Sequence, residues 1–316
     1  MSYSAKVKNE LVRLPAQDDG EQVAQLAGIA RMDGSILIGS GKRIALVLVS
    51  ENAAVARQAY SWLRNLFHLQ ARIEIQRNTK LKKNIRYVVR VPGQPRLKTA
   101  LTTLGMMNDE GLLFRSDIAP EFTDRDHVRR AYLRGIFLGS GSLTDPQRSY
   151  HLELVTQSEE FAEQISALII GYGIEFRMSY RKENCVLYLK ESEQISDFLA
   201  LVGAHEAVMD LENVRVAKGV RNKVNRLVNC ETANMNKAID AALRQVEMIE
   251  AIKAHGDFDK LPRALQQVAN LRLQAPEASL KELGELCDPP IGKSGINHRM
   301  RRLTEFAKKM GLNGLD

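Results

Sequence analysis

One acidic residue stands where a metal-dependent phosphodiesterase would need two. Asp33 closes the stretch LAGIARMDGS (Leu26–Ser35), and a similar stretch, LRGIFLGSGS (Leu133–Ser142), begins 107 residues later. In-line cleavage of a phosphodiester by bound cations needs carboxylates to hold the ions and offset developing charge. A pseudo-symmetric site would draw one from each stretch. The position matching Asp33 in the second stretch is Ser140, whose neutral hydroxyl is a poor ligand for a hard divalent cation. Asp145 lies beyond it, in a turn. The pattern therefore predicts no catalytic residues, no metal and no cofactor, and a chain that is not an enzyme. Asp33 is expected to cap or orient a helix end.

A different chemistry is written near the C-terminus. The run GINHRMRRLTEFAKKM places Ile296, Met300, Leu303, Ala307 and Met310 on one helical face. The opposite surface carries Asn297, His298, Arg299, Arg301, Arg302 and Lys308, with Lys293 and Ser294 at the start. Arg can fork onto guanine and Asn onto adenine in a major groove, while Ser and Lys hold phosphates. A second basic cluster, with Arg77, Lys80, Lys82, Lys83 and Arg86, falls at the turn between two predicted strands and suits phosphate contact equally with plain solvation.

Bulk properties agree without deciding. The 316 residues carry a net charge of +7, with 44% hydrophobic and 26% charged residues. That favours folded domains with a mild preference for a polyanion. Cys185, Cys230 and Cys287 match no metal spacing and are expected to be small buried hydrophobes. No signal-peptide core and no bilayer-spanning run is present, so a cytoplasmic location is expected.

The elements that must position these groups follow from periodicity. After each glycine-bearing helix come two strands, a helix, two strands and a helix. The strands of the first unit are ILIGS, RIALVLV, ARIEIQR and IRYVVRV; those of the second include YHLELVT, IEFRMSY and CVLYLK. From about Ala233 the pattern is helical throughout. A helix with Ile239, Ala242, Val246, Ile249 and Ile252 on one face precedes one with Leu261, Leu265 and Val268. Ser279 then caps a short helix with Leu280, Leu283 and Leu286, and the turn DPPIGKSG leads into the basic helix. This is helix-turn-helix order.

The motif LAGIARMDG resembles the LAGLIDADG homing-endonuclease signature at Leu26, Ala27, Gly28, Asp33 and Gly34. The resemblance implies that Gly28 and Gly135 let two central helices touch, with two sheets forming a saddle suited to DNA. The predicted fold is α+β: tandem αββαββα repeats making a pseudo-dimeric saddle, then an all-α helix-turn-helix domain similar to the promoter-reading region 4 of sigma factors. Expected boundaries are 1–20 for an N-terminal arm, 21–122 and 123–205 for the repeats, 206–256 for linker helices and 257–316 for the last domain.

With the stretches YLRGIFLGSGSLTDPQRSYHLEL, NCETANMNK and PEASLKELGELCDPPIGKSGINHRMRRL, nearly the whole chain is similar to the WhiA family. That resemblance implies a sequence-specific regulator tied to cell division and chromosome segregation, with sporulation in some members. It puts the DNA contacts between about Ala275 and Lys309, hence on Ser279, Lys293, Ser294, Asn297, His298, Arg299, Arg301 and Arg302. Double-stranded DNA on the nucleoid is the expected partner, with another transcription regulator or RNA polymerase as a further one. The repeat, pseudo-dimeric in itself, is compatible with a monomer and leaves the oligomeric state open. Two rivals stay open: a residual endonuclease or nickase, and a DNA-bound scaffold whose N-terminal part binds a protein.

Overall fold

The computed structural model describes residues 1–39, 44–77, 85–108, 110 and 114–312. It divides into two compact units, Met1–Lys218 and Gly219–Asp316.

In the first unit, α1 (Tyr3–Val12) precedes two copies of one arrangement. The first copy is α2 (Asp19–Asp33), β1 (Gly34–Ile38), β2 (Ile44–Ser50), α3 (Ala53–Asn65), β3 (Arg72–Arg77), β4 (Ile85–Val91) and α4 (Pro95–Thr103). The second is α5 (Asp126–Ser140), β5 (Ser142–Leu143), β6 (Leu152–Thr156), α6 (Glu159–Ile170), β7 (Arg177–Arg181), β8 (Asn184–Leu189) and α7 (Ser192–Val202). Each copy builds an antiparallel four-stranded sheet, in the orders β1-β2-β4-β3 and β5-β6-β8-β7. The tandem repeat read from the sequence is thus the observed topology.

The centre of this unit is the pair α2 and α5. A helix that is apolar all round is buried all round, and Leu26, Ala27, Ile29, Ala30, Leu133, Ile136 and Phe137 are sealed from solvent. The glycines set the spacing. A Cβ on Gly28 would stand 2.4 Å from the carbonyl oxygen of Tyr132, and one on Gly135 would stand 2.1 Å from that of Gln25. No side chain fits there, so the two backbones touch directly. Alternate strand residues, Leu46, Leu48, Val89 and Val91 in one sheet and Leu152, Leu154, Leu187 and Leu189 in the other, join the same core. Asp18 starts α2 by accepting a hydrogen bond from the Glu21 amide at 2.8 Å, and the Glu21 carboxylate accepts from the Gln17 amide at 3.1 Å. The N-terminal arm is tied to the second repeat: Ser4 Oγ donates to the Leu143 carbonyl at 2.8 Å and accepts from its amide at 2.7 Å.

The remaining helices are α8 (His205–Ala254), α9 (Arg263–Gln274), α10 (Leu280–Glu285) and α11 (Lys293–Lys309). In the second unit a separate core gathers Met248, Ile249 and Ile252 from the end of α8. To these are added Leu265 and Val268 from α9, Leu283 from α10, and Ile296, Met300, Leu303 and Ala307 from α11. The apolar faces read from the sequence at these helices are largely the buried ones. Three expectations fail. Ile239 and Leu286 are exposed, because Ile239 lies before the packed end of α8 and Leu286 follows the last turn of α10. Cys230 is exposed too, unlike Cys185 and Cys287, since the part of α8 that holds it is exposed on all sides among the described residues. The segment before Ala233, left without an assignment by periodicity, is helical from His205 onward.

Candidate nucleic-acid interface

The second unit holds α11 by its apolar side and leaves most of its polar side exposed. Ser294, Asn297, His298, Arg301 and Arg302 are all exposed, and Lys293 is exposed at the start of the helix. The helix begins after Gly292, which has no side chain to cap the first turn, so the first amides face outward with the positive end of the helix dipole. Arg299 differs from its neighbours. It leans toward α9, with Nη1 donating to the Ala264 carbonyl at 3.5 Å.

Two features fix the turn that presents α11. A Cβ on Gly284 would lie 2.1 Å from the carbonyl oxygen of Ile291, so only glycine lets the turn close back on α10. Arg272, at 2% exposure, donates from Nη1 to the carbonyls of Pro276 at 3.2 Å and Ala278 at 2.5 Å, tying α9 to the segment before α10. Sequence reasoning missed Arg272, since an arginine at helical spacing looks like a surface residue; its place among Leu265, Val268 and Ala269 was the available signal. Ser279 caps α10. Its Oγ accepts from the Glu282 amide at 3.2 Å, while its own amide donates to Glu282 Oε2 at 2.7 Å. This reciprocal pair is a capping box. It holds the Glu282 carboxyl below the usual carboxylate range, chiefly through the Ser279 amide.

In the first unit, Arg77 ends β3 and Arg86 lies near the start of β4, both exposed, whereas Lys80, Lys82 and Lys83 fall outside the described residues. Arg86 approaches Glu51 at 4.0 Å. The strand register adds two arginines that share the face of Arg86: Arg72 pairs with Arg90 across β3 and β4, and Arg86 with Gln76. Arg90 lies 3.6 Å from Glu74.

Asp33 and Ser140 end the two central helices and line a common cleft of about 750 Å³ with Lys8, Glu51 and Arg86. Ser140 Oγ accepts from the Val155 amide at 3.2 Å, which fixes it to β6. Asp33 Oδ2 is buried without a hydrogen-bond partner. Burial pushes the Asp33 carboxyl up to about 7; Lys8 opposes that shift and Glu51 adds to it. Lys8 is itself held below the usual lysine range by burial, and its Nζ donates to the Gly139 carbonyl at 3.0 Å. A divalent cation of the homing-endonuclease type would need ionised oxygens from both helix ends. Here one is a hydroxyl engaged with backbone and the other a carboxyl whose ionisation burial opposes. Among the described residues no cluster of three or more His, Cys, Asp or Glu could hold a metal ion. The donors present do not fit that ion.

Comparison with known proteins matches three family models in chain order. These are the WhiA N-terminal LAGLIDADG-like domain at residues 19–107, the WhiA LAGLIDADG-like domain at 129–221 and the WhiA C-terminal HTH domain at 224–307. A relative from Desulforamulus reducens, named as a probable cell division protein WhiA, is 46% identical over 98% of this chain and 96% of its own. Another of the same name, from Heliobacterium modesticaldum, is 44% identical over 99% of this chain and 98% of its own. The crystal structure of full-length WhiA from Thermatoga maritima has 24% identity and a TM-score of 0.59, covering 98% of this chain and 99% of that one. At that identity it supports the fold.

Proposed function

The chain belongs to the WhiA family, and from that premise we propose that it is a duplex-DNA-binding regulator of cell division and chromosome segregation that performs no chemistry on DNA. One observation carries the reading. The exposed side of α11 gathers Ser294, Asn297, His298, Arg301 and Arg302, with Lys293 at its start, while its other side is sealed into a core. A helix held this way can lie in a major groove with Asn297 and the arginines toward base edges, and Lys293, Ser294 and the first amides toward phosphate. Arg299 supports that pose from the side facing α9. Ser279, exposed at the start of α10, caps that helix through its Oγ and keeps its hydroxyl proton for a phosphate oxygen.

The reading extends to transcriptional control, to sporulation in hosts that sporulate, and to a cytoplasmic, nucleoid-bound location. Among the described residues no helix is long and apolar enough to cross a membrane. The endonuclease alternative is disfavoured by the donor set: Ser140 stands in place of the second acid, and burial opposes ionisation of Asp33.

Genome-wide mapping of bound sites in cells tests the proposal. Substituting alanine for Arg299, Arg301 and Arg302 together is expected to abolish site-specific enrichment. In vitro, Arg301→Ala and Arg302→Ala should each cost about 1–3 kcal/mol if they read bases, or lower the salt slope by about 1 if they hold phosphate. Unchanged peaks and unchanged affinity would place the reading head elsewhere.

A further inference from the structure

Residues 219–240 of α8 are exposed around nearly the whole circumference of the helix. Unpacked helices in water are marginal even when made of good helix formers. This segment, GVRNKVNRLVNCETANMNKAID, contains five asparagines, three valines, a threonine and a glycine, all poor ones. Something must cover it for the helix to persist. The side to be covered is evident: Val220, Val224, Leu227, Val228 and Met235 are each more than half exposed and lie along one stripe. The other side presents Asn222, Asn225, Arg226 and Asn229, which are content in water.

The stripe is symmetric about its own midpoint. Counting outward from the bond between Leu227 and Val228, positions 227, 224 and 220 mirror 228, 231 and 235. The one polar residue in the series is Glu231. Charge has the opposite property, changing from end to end. Residues 219–229 contain Arg221, Lys223 and Arg226 with no acid, whereas 230–240 contain both Glu231 and Asp240 with one base, Lys237.

We infer that this stripe is a self-association surface, on which α8 pairs antiparallel with α8 of a second copy about a twofold axis between Leu227 and Val228. Such an isologous contact repeats each pairing twice. Leu227 meets Val228 of the second copy, Val220 meets Met235, and Glu231 sits beside Val224 within reach of Lys223. The antiparallel sense sets the basic half of each helix against the half holding both acids. A parallel pair would stack Arg221, Lys223 and Arg226 on themselves. Sixteen residues at about 1.5 Å rise give a contact roughly 24 Å long, smaller than the standard interface of about 1,600 Å². The dimer is therefore weak and concentration-dependent, and favoured where two copies are brought close on DNA.

Sedimentation velocity and thiol cross-linking of the full chain test this. In a Cys230→Ser background the remaining cysteines, Cys185 and Cys287, are buried. Leu227→Cys, near the axis, is expected to give an oxidised dimer. Val220→Cys alone should not, because the two copies of position 220 are about 22 Å apart along the axis; mixed with Met235→Cys it should. Leu227→Glu is expected to raise the dimer dissociation constant at least about tenfold. Lys223→Glu should weaken association, and adding Glu231→Lys should restore it. A chain that stays monomeric at high micromolar concentration overturns the inference. So does a Val220→Cys protein that cross-links to itself as readily as Leu227→Cys.

Discussion

At the scale of single residues, Asp33 is an acid held where burial opposes its ionisation. The carboxyl sits at the end of a buried helix, Oδ2 has no partner, and burial raises its pKa to about 7. In the unfolded chain an aspartate titrates near 3.9. The folded state therefore binds the extra proton between those two values, and stability from this group falls as pH rises through that window, levelling above about 7. Asparagine has the same shape and no ionisation to suppress. Asp33→Asn is accordingly expected to leave stability nearly unchanged below about pH 4 and to raise it increasingly toward pH 7, by a few kcal/mol at most. Urea unfolding of both proteins across this range measures the difference. A gain that is flat with pH would mean that Asp33 titrates in the fold as it does in the unfolded chain, and a loss at pH 7 that the ionised Asp33–Lys8 pair stabilises the fold.

At the scale of elements, the close approach of α2 and α5 holds the first unit together. Gly135→Ala puts a Cβ 2.1 Å from the Gln25 carbonyl, a backbone atom that cannot step aside without moving α2. Overpacking of this kind costs about 3 kcal/mol, toward the upper end of such insertions. Gly171→Ala serves as the control, since a Cβ there meets nothing nearer than 4.0 Å, and its effect should stay within about 1 kcal/mol. Thermal melts that show equal losses for the two would contradict the backbone-to-backbone contact. These glycines were legible in the sequence because two Gly-bearing apolar helices recur at one spacing. The strands were legible as apolar, β-branched runs: RIALVLV and IRYVVRV hold the buried Leu46, Val47, Leu48, Val88, Val89 and Val91. What periodicity did not show was that the linker helices expected over 206–256 run as one continuous helix, α8. Periodicity marks a helix by the face it buries, and residues 219–240 bury none. Arg272 and Asp33 were opaque on the same ground, because burial of a charged group depends on neighbours distant in sequence.

At the scale of the molecule, the question is which surface of the first unit meets a ligand if α11 reads the DNA sequence. The two sheets are alike in topology and unlike in charge. On the second, Glu153 binds Arg181 at 3.0 Å and His151 at 2.6 Å, so these basic groups are satisfied within the sheet. On the first, Arg72, Arg86 and Arg90 share one face with Glu74 as the neighbouring acid there, and Arg72 lies in register with Arg90. Glu74 lies 3.6 Å from Arg90 and Glu51 4.0 Å from Arg86, so three arginines meet two acids and an excess of positive charge is left for a polyanion. Each phosphate contact contributes nearly one unit to the slope of log affinity against log salt. Substituting glutamine for Arg72 and Arg86 should lower that slope by about 2 and shorten the protected stretch of DNA, leaving sequence preference to α11. Glutamine at Arg177 and Arg181 should change neither. Footprinting across a salt series with a fixed site distinguishes the outcomes. If the first pair also leaves slope and footprint unchanged, this sheet belongs to a protein partner and α11 is alone on the duplex.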